Sequence, residues 1–108
     1  MSDFIFEEVT SYRAMVYSPF NTTRAFAYLV SDNSICFLTF CSDDTTLPEN
    51  RSAVVNGIQH FYISLYYSDY PNVIDLLRNE KPVHFYYCDE HVKHFYLTSS
   101  YEPIGEAE

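Results

Sequence analysis

Histidine and tyrosine alternate along three segments in the second half of the chain, and these side chains are the best equipped to contact a ligand. Alternate residues of a strand point to the same face, so each segment presents its rings on one side. If the three strands share a sheet, the rings form one surface. Flat rings with polar tips stack on planar ligands and are enriched at protein interfaces. The predicted ligand or interface residues are His60, Tyr62, Tyr66, His84, Tyr86, His94 and Tyr96.

A simpler explanation competes with this one. Tyrosine is a common strand residue and tolerates half-exposure. The pattern therefore favours a contact surface only if the three strands lie side by side.

A metal site is the second chemistry that the spacing suggests. Cys88, His91 and His94 have the local spacing of one half of a zinc site, and Asp89 or Glu90 could add an oxygen ligand. Across a hairpin turn, however, the first and last of these lie on separate strands, and no second Cys or His pair completes the set. We therefore predict no metal and no cofactor, with the histidines facing solvent.

Catalytic motifs are missing from the sequence. The only glycines are Gly57 and Gly105, which leaves little scope for a phosphate-cradling loop, and no nucleophile elbow is recognisable. The adjacent acids Asp43 and Asp44 are typical of a solvated loop. We predict no catalytic residues, and the lack of catalytic motifs favours a protein that is not an enzyme.

The charge balance excludes several partner classes. Fifteen acidic residues against six basic ones give a formal charge of −9, and the basic residues are scattered along the chain. Proteins that grip duplex nucleic acid or anionic lipid rely on clustered Lys and Arg, so both partners are disfavoured. The aromatic content is also unusually high, since eleven Tyr and nine Phe make 19% of the chain aromatic.

Localisation is predicted from three features. No apolar run approaches the ~20 residues that span a bilayer. The start, Met1-Ser2-Asp3-Phe4, lacks the basic and apolar regions of a secretory signal. Three cysteines cannot all pair within the chain, which favours free thiols in a reducing compartment. The expected location is the cytoplasm.

Apolar alternation predicts seven strands, over residues 4–9, 13–17, 24–30, 35–40, 60–67, 83–88 and 92–99. The third and fourth form a hairpin, because Asp32-Asn33 suits a two-residue turn, and this pairs Val30 with Ile35 and Tyr28 with Phe37. Both faces are then apolar, which places the hairpin in the middle of the fold or at a subunit interface. One face holds Phe26, Tyr28, Val30, Ile35 and Phe37, and the other holds Ala25, Ala27, Leu29, Cys36, Leu38 and Phe40.

The last two strands are predicted to form a hairpin around a three-residue loop, 89–91. A two-residue turn is the alternative, but it sorts the residues less cleanly by mixing Lys93 into the apolar face. In the preferred register one face collects Val83, Phe85, Tyr87, Phe95 and Leu97, and the other collects His84, Tyr86, Cys88, Val92, His94 and Tyr96.

One helix is predicted over about 69–80, because apolar residues recur there at helical spacing. Ser68 or Asp69 can cap its start, Pro71 suits its first turn, and Pro82 stops it. Residues 42–58 are predicted to be a long loop, although Val54 and Val55 could begin a strand, and 101–108 an acidic tail.

The predicted fold is a single α+β domain over residues 1–108. It is a mainly antiparallel sheet or small open barrel of about six to seven strands, with the helix between the fifth and sixth.

Two functional hypotheses follow, and a third, a nucleic-acid binder of the aromatic-platform type, is disfavoured because the sequence lacks the basic surround that it needs. The first is a small acidic binding protein, not an enzyme, that contacts a protein partner or itself, as a homodimer or larger homo-oligomer. Its contact surface is the Tyr/His-rich face or the doubly apolar hairpin of the third and fourth strands. The second is a domain that binds a planar small molecule or nucleotide in an aromatic pocket.

Overall fold

Eight strands and one short helix make up the part of the chain that the structure describes. This computed structural model describes residues 4–20, 22–89 and 93–99. The strands are β1 Phe4–Glu8, β2 Ser11–Phe20, β3 Thr23–Val30, β4 Ser34–Cys41, β5 Arg51–Val55, β6 Ile58–Tyr66, β7 Val83–Cys88 and β8 His94–Ser99. The helix is α1, Tyr70–Asn79, and a 3-10 turn, Tyr67–Asp69, precedes it.

The strands divide into two sheets. One has three strands in the order β1-β7-β8, and the other has five in the order β2-β3-β4-β6-β5. β4 and β6 pair in parallel, whereas the other described pairs are antiparallel. The predicted α+β, mainly antiparallel class is confirmed, and the sheets do not close into a barrel. The strand count was too low, so the helix follows the sixth strand instead of the fifth.

The inner faces of the two sheets form the core. Phe61 of β6 packs against Phe85 and Tyr87 of β7, with ring centroids 5.5 and 4.8 Å apart. Leu77 of α1 adds to the same cluster. A buried hydrogen bond also joins the sheets, since the Ser34 hydroxyl on β4 donates to a carboxylate oxygen of Glu7 on β1 at 2.7 Å. Both sheets therefore turn their other faces outward, in opposite directions.

The hairpin of β3 and β4 has the predicted register. Val30 lies opposite Ile35 and Tyr28 opposite Phe37. The turn is closed by the Ser31 amide, which donates to the Ser34 carbonyl at 2.9 Å. Its inner face is fully buried and its outer face only half-buried. The two apolar faces of this hairpin thus have different roles.

The last hairpin keeps the predicted faces with a longer connection. Cys88 pairs with His94 and Tyr86 with Tyr96, so the paired strand begins at His94, two residues later than expected. The predicted three-residue loop is therefore wrong. Its residues 90–91 and the predicted strand residue Val92 lie outside the described residues, as does the tail 101–108.

The predicted loop over 42–58 contains strand β5. Asn56 and Gly57 have positive φ angles of 53° and 79° and turn the chain from β5 into β6. The rest of that segment is anchored by Asn50, whose side chain accepts a hydrogen bond from the Ser64 amide at 2.9 Å and donates one to the Lys93 carbonyl at 3.0 Å. The turn at Asn56 and Gly57 folds the chain back on itself, so β5 pairs with β6 and forms an edge of the sheet.

Helix α1 confirms the predicted helix to within one residue at each end. Pro71 lies in its first turn. Asp69 is the N-cap but its side chain makes no capping hydrogen bond, and the Ser68 amide instead donates to Asp43 at 3.1 Å. The ring of Tyr70 meets Phe40 edge-on at 5.0 Å, which seats the helix on the inner face of the five-stranded sheet.

No helix within the described ranges is long and apolar enough to cross a membrane.

Candidate functional site

The seven predicted site residues do not share one surface. His60, Tyr62 and Tyr66 lie on β6 in the five-stranded sheet, whereas the other four lie on β7 and β8 in the three-stranded sheet. Both sets alternate with core residues, so they occupy the two opposite outer faces of the molecule. The assumption that the three strands lie side by side was wrong, because β7 pairs with β1 from the start of the chain.

We call the first surface the five-strand ring face; its members are Phe26, Tyr28, Phe37, His60 and Tyr62. These side chains are half-buried because they shield one another. Phe37 lies at the centre: its ring stacks on Tyr62 at 5.3 Å and 9°, and meets Tyr28 and His60 edge-on at 5.5 and 5.3 Å. A hydrogen-bonding contact of 3.2 Å joins the His60 Nδ1 and the Tyr62 hydroxyl. Tyr66 follows on the same side at the end of β6.

A single row of side chains crosses all five strands of this face. Arg13 on β2 lies opposite Tyr28, Tyr28 opposite Phe37, Phe37 opposite Tyr62, and Tyr62 opposite Arg51 on β5. The Arg51 guanidinium carbon lies 4.1 Å from the centre of the Tyr62 ring, a cation–π contact. Three aromatic rings therefore form a continuous strip with an arginine at each end.

The five-stranded sheet is also the part of the molecule free of acid. None of its strands contains Asp or Glu, although the chain has 15 acidic residues. Three of the six basic residues, Arg13, Arg24 and Arg51, lie on these strands. The Nη1 atom of Arg24 is buried and makes no hydrogen bond to the described residues. Half of the basic residues of the sequence thus lie in one sheet.

The three-strand ring face is the second surface, formed by Phe6, His84, Tyr86, His94 and Tyr96. Phe6 stacks on His84 at 4.8 Å, and Tyr86 on Tyr96 at 4.7 Å. Phe6 is 50% exposed and Tyr96 43%. Unlike the first face it carries an acid, since the exposed Glu8 lies opposite His84 on the neighbouring strand. This smaller face therefore combines exposed apolar rings with histidine side chains and one carboxylate.

No family model, curated protein or solved structure matches this chain. What it can bind follows from the chemistry of its own side chains.

The cavities of the described region do not coincide with the five-strand ring face. One of about 620 Å³ lies between the end of α1 and the β1–β2 connection, where Arg78 and Lys81 alternate with Glu8 and Glu80. A smaller one of about 240 Å³ lies between α1 and β8 and borders Tyr96. The first contains none of the predicted site residues.

The thiols are poorly suited to nucleophilic chemistry. Burial raises the pKa of Cys36 far above its ordinary range, and the Glu7 carboxylate adds to the shift. Burial also raises the pKa of Cys41. A protonated, buried thiol is a weak nucleophile. Cys88 is half-buried and lies opposite His94, while His91, the third member of the metal set weighed from the sequence, is outside the described residues.

The rings of β3 and β4 were not among the predicted site residues, although their hairpin was an alternative contact surface. Phe26, Tyr28 and Phe37 stand in the predicted register, but apolar alternation alone assigns them to a core or an interface. Arg13 and Arg51 were also missed. The sequence feature that could have indicated these two arginines is the absence of Asp and Glu from the five strands of the sheet. This feature is recognisable only if residues 51–55 are counted as a strand.

Proposed function

We propose that this chain is a binding protein without catalytic activity that holds a planar, negatively charged partner on the five-strand ring face. The observation that carries the proposal is the row of three rings between Arg13 and Arg51 on a sheet without acidic residues. Planar ligands gain free energy by stacking on aromatic faces, and arginine pairs with anionic groups through several donors at once.

The arrangement is organised before a partner arrives. Phe37 and Tyr62 are already stacked, with ring planes 9° apart, and Arg51 is already seated over Tyr62. Side chains fixed in this way lose little conformational entropy on binding. The helix and the second sheet both pack on the inner face, so apart from the Arg51 side chain, which covers one face of Tyr62, no described element covers these rings.

A second copy of the same face is a poor partner. In a twofold dimer both copies present the same patch, which would bring arginines towards arginines without a carboxylate on either sheet to pair with them. An anionic partner supplies the negative charge that these arginines need for pairing.

The test is a fluorescence titration with 1-pyrenesulfonate, a planar anion, against 1-pyrenemethanol, its neutral analogue. We expect the anion to bind more tightly and the preference to shrink in Arg51→Gln. Tyr62→Leu removes the flat ring but keeps an apolar side chain, and it should weaken binding. Tyr86→Leu is the matched control, because Tyr86 stacks on Tyr96 at a similar distance on the opposite face. Equal losses in the two variants, or no binding at all, would contradict the proposal.

Self-association through the three-strand ring face is a second candidate. It is favoured by the exposure of Phe6 and Tyr96 and by the mixture of Glu8 with His84, which lets the face pair with its own copy. Three strands span only roughly 10 Å, so the contact belongs to the small, weak class of interfaces.

Sedimentation velocity at increasing protein concentration tests this candidate. We expect Phe6→Ser to shift the protein towards monomer. Val54→Ser, at an exposed position of the other sheet, should not. A wild-type protein that stays monomeric at every concentration would refute the candidate.

A further inference from the structure

We infer that the partner of the five-strand ring face is single-stranded nucleic acid. This inference rests on the proposed function, because it names the planar anion that the face binds. It depends on the in-register strip of Tyr28, Phe37 and Tyr62 between Arg13 and Arg51.

The strip suits a ligand with several successive bases better than a ligand with one planar ring. Its three aromatic residues lie on three adjacent strands, with centroids 5.5 Å and 5.3 Å apart along the row. Every unpaired base offers a flat face for stacking on such side chains. In the free protein Phe37 and the Arg51 guanidinium lie against the two faces of the Tyr62 ring, so a base stacks on Tyr62 by displacing the guanidinium, which is then free to pair with a phosphate. A mononucleotide would use one ring and leave the others unoccupied. A strand of several nucleotides uses all of them.

The arginines lie where a phosphate backbone would need them. Five neighbouring strands span about 20 Å, so Arg13 and Arg51 are separated by the width of the sheet and can contact phosphates at the two ends of the bound segment. Between them, the His60 ring and the Tyr28 and Tyr62 hydroxyls offer hydrogen bonds to base edges.

The net charge of −9 does not prevent this binding. The described acidic residues lie outside the five strands. Glu8 is on the three-stranded sheet and Asp75 is on the helix, while Asp32, Asp43, Asp44 and Glu49 lie in the connections between strands of the five-stranded sheet. The molecule measures 26 Å along its shortest axis. At physiological ionic strength electrostatic effects decay over about 8 Å, so charges on the far side are largely screened at this face.

Duplex nucleic acid does not fit the surface. Its bases are stacked and paired, so their flat faces are not accessible to Phe37 and its neighbours. A flat sheet face also has no helix or ribbon that could enter the major groove. The proposed specificity is therefore for unpaired strands.

The experiment measures fluorescence anisotropy of labelled oligothymidylate and oligouridylate of about 12 nucleotides, a length within the usual range of site sizes. The full chain is titrated at salt concentrations between roughly 50 and 200 mM. Binding of either oligomer supports the inference, and the two arms tell whether DNA or RNA is the better ligand. With two arginine contacts, the slope of log affinity against log salt should be about −1.4, since each phosphate contact on a single strand contributes about −0.7.

Four variants make the result specific. Tyr62→Leu and Phe37→Leu should each weaken binding by roughly 5- to 150-fold, the range for losing one stacked base. Arg51→Gln should flatten the salt slope by about 0.7. Tyr86→Leu on the opposite face should bind like the wild type. Circular dichroism checks that each variant is folded. If Phe37→Leu does not fold, the result for Tyr62→Leu alone tests the inference.

The outcomes separate this inference from the proposed function. If 1-pyrenesulfonate binds but neither oligomer does, the planar-anion function stands and the inference falls. If duplex DNA binds as tightly as the single strands, or Tyr62→Leu binds like the wild type, the inference also falls. If neither the oligomers nor the pyrene probe binds, both are refuted.

Discussion

Replacing Phe61 by alanine tests the two-sheet core at the point where the sheets meet. Phe61 is 1% exposed and its ring contacts Phe85 and Tyr87 of the other sheet. Removing a buried phenyl ring costs about 3–5 kcal/mol, from lost burial and from the cavity left behind. Tyr62 is the next residue but faces outward. Tyr62→Ala should lose about 1–2.5 kcal/mol, from one ring pair with Phe37 and one cation–π contact with Arg51.

Urea denaturation followed by circular dichroism measures both variants. We expect Phe61→Ala to lose at least about 0.5 kcal/mol more than Tyr62→Ala, with unchanged slopes against urea. A double-mutant cycle of Phe61→Ala with Phe85→Ala should show coupling of roughly 0.5–1.5 kcal/mol if the two sheets share this ring pair. Equal losses at the two neighbouring positions, or a larger loss for Tyr62→Ala, would refute the assignment of the faces and with it the five-strand ring face.

Three further predictions concern local features. Burial, helped by the charge of Asp89, raises the pKa of Tyr87 to about 12, so the unfolded chain loses this proton first, near pH 10. Stability should therefore fall by up to about 3 kcal/mol between about pH 10 and 12, and urea titrations of Tyr87→Phe should show a smaller fall. Gly57→Ala should cost about 1–2 kcal/mol in the same assay, because φ is 79° there although the added Cβ meets no atom within 4 Å. In the native protein a thiol reagent should label Cys88 and spare the buried Cys36, and equal labelling rates by mass spectrometry would contradict the burial described for them.

The sequence was sufficient for the local elements. Asp32-Asn33 tolerates the backbone of a two-residue turn, and that turn fixes the register of β3 and β4. The helix was equally predictable, because its apolar spacing and the prolines at 71 and 82 act within a few residues. Strand parity also held, since His60, Tyr62 and Tyr66, predicted to share one side of their strand, alternate with the buried Phe61 and Ile63.

The division into two sheets was not predictable from local pattern. β7 pairs with β1, so that Phe6 meets Tyr86 across almost the whole chain, and nothing near either residue specifies the partner. The failure to predict strand β5 had a different cause. Asn56-Gly57 is a typical hairpin turn, but the exposed and short β5 lacks the apolar alternation expected of a strand. Both errors bear on the site, since together they decide which rings share a face and whether Arg51 belongs to it.

The most direct test of the proposed binding surface is an NMR titration with 1-pyrenesulfonate that follows the aromatic ring protons. Ring currents shift the signals of side chains in direct contact with the probe. The account predicts that Tyr28, Phe37 and Tyr62 shift together with one saturation curve, while Phe6 and Tyr96 on the opposite face do not move. Shifts confined to Phe6 and Tyr96, or none at all on the five-strand ring face at saturating probe, would contradict it.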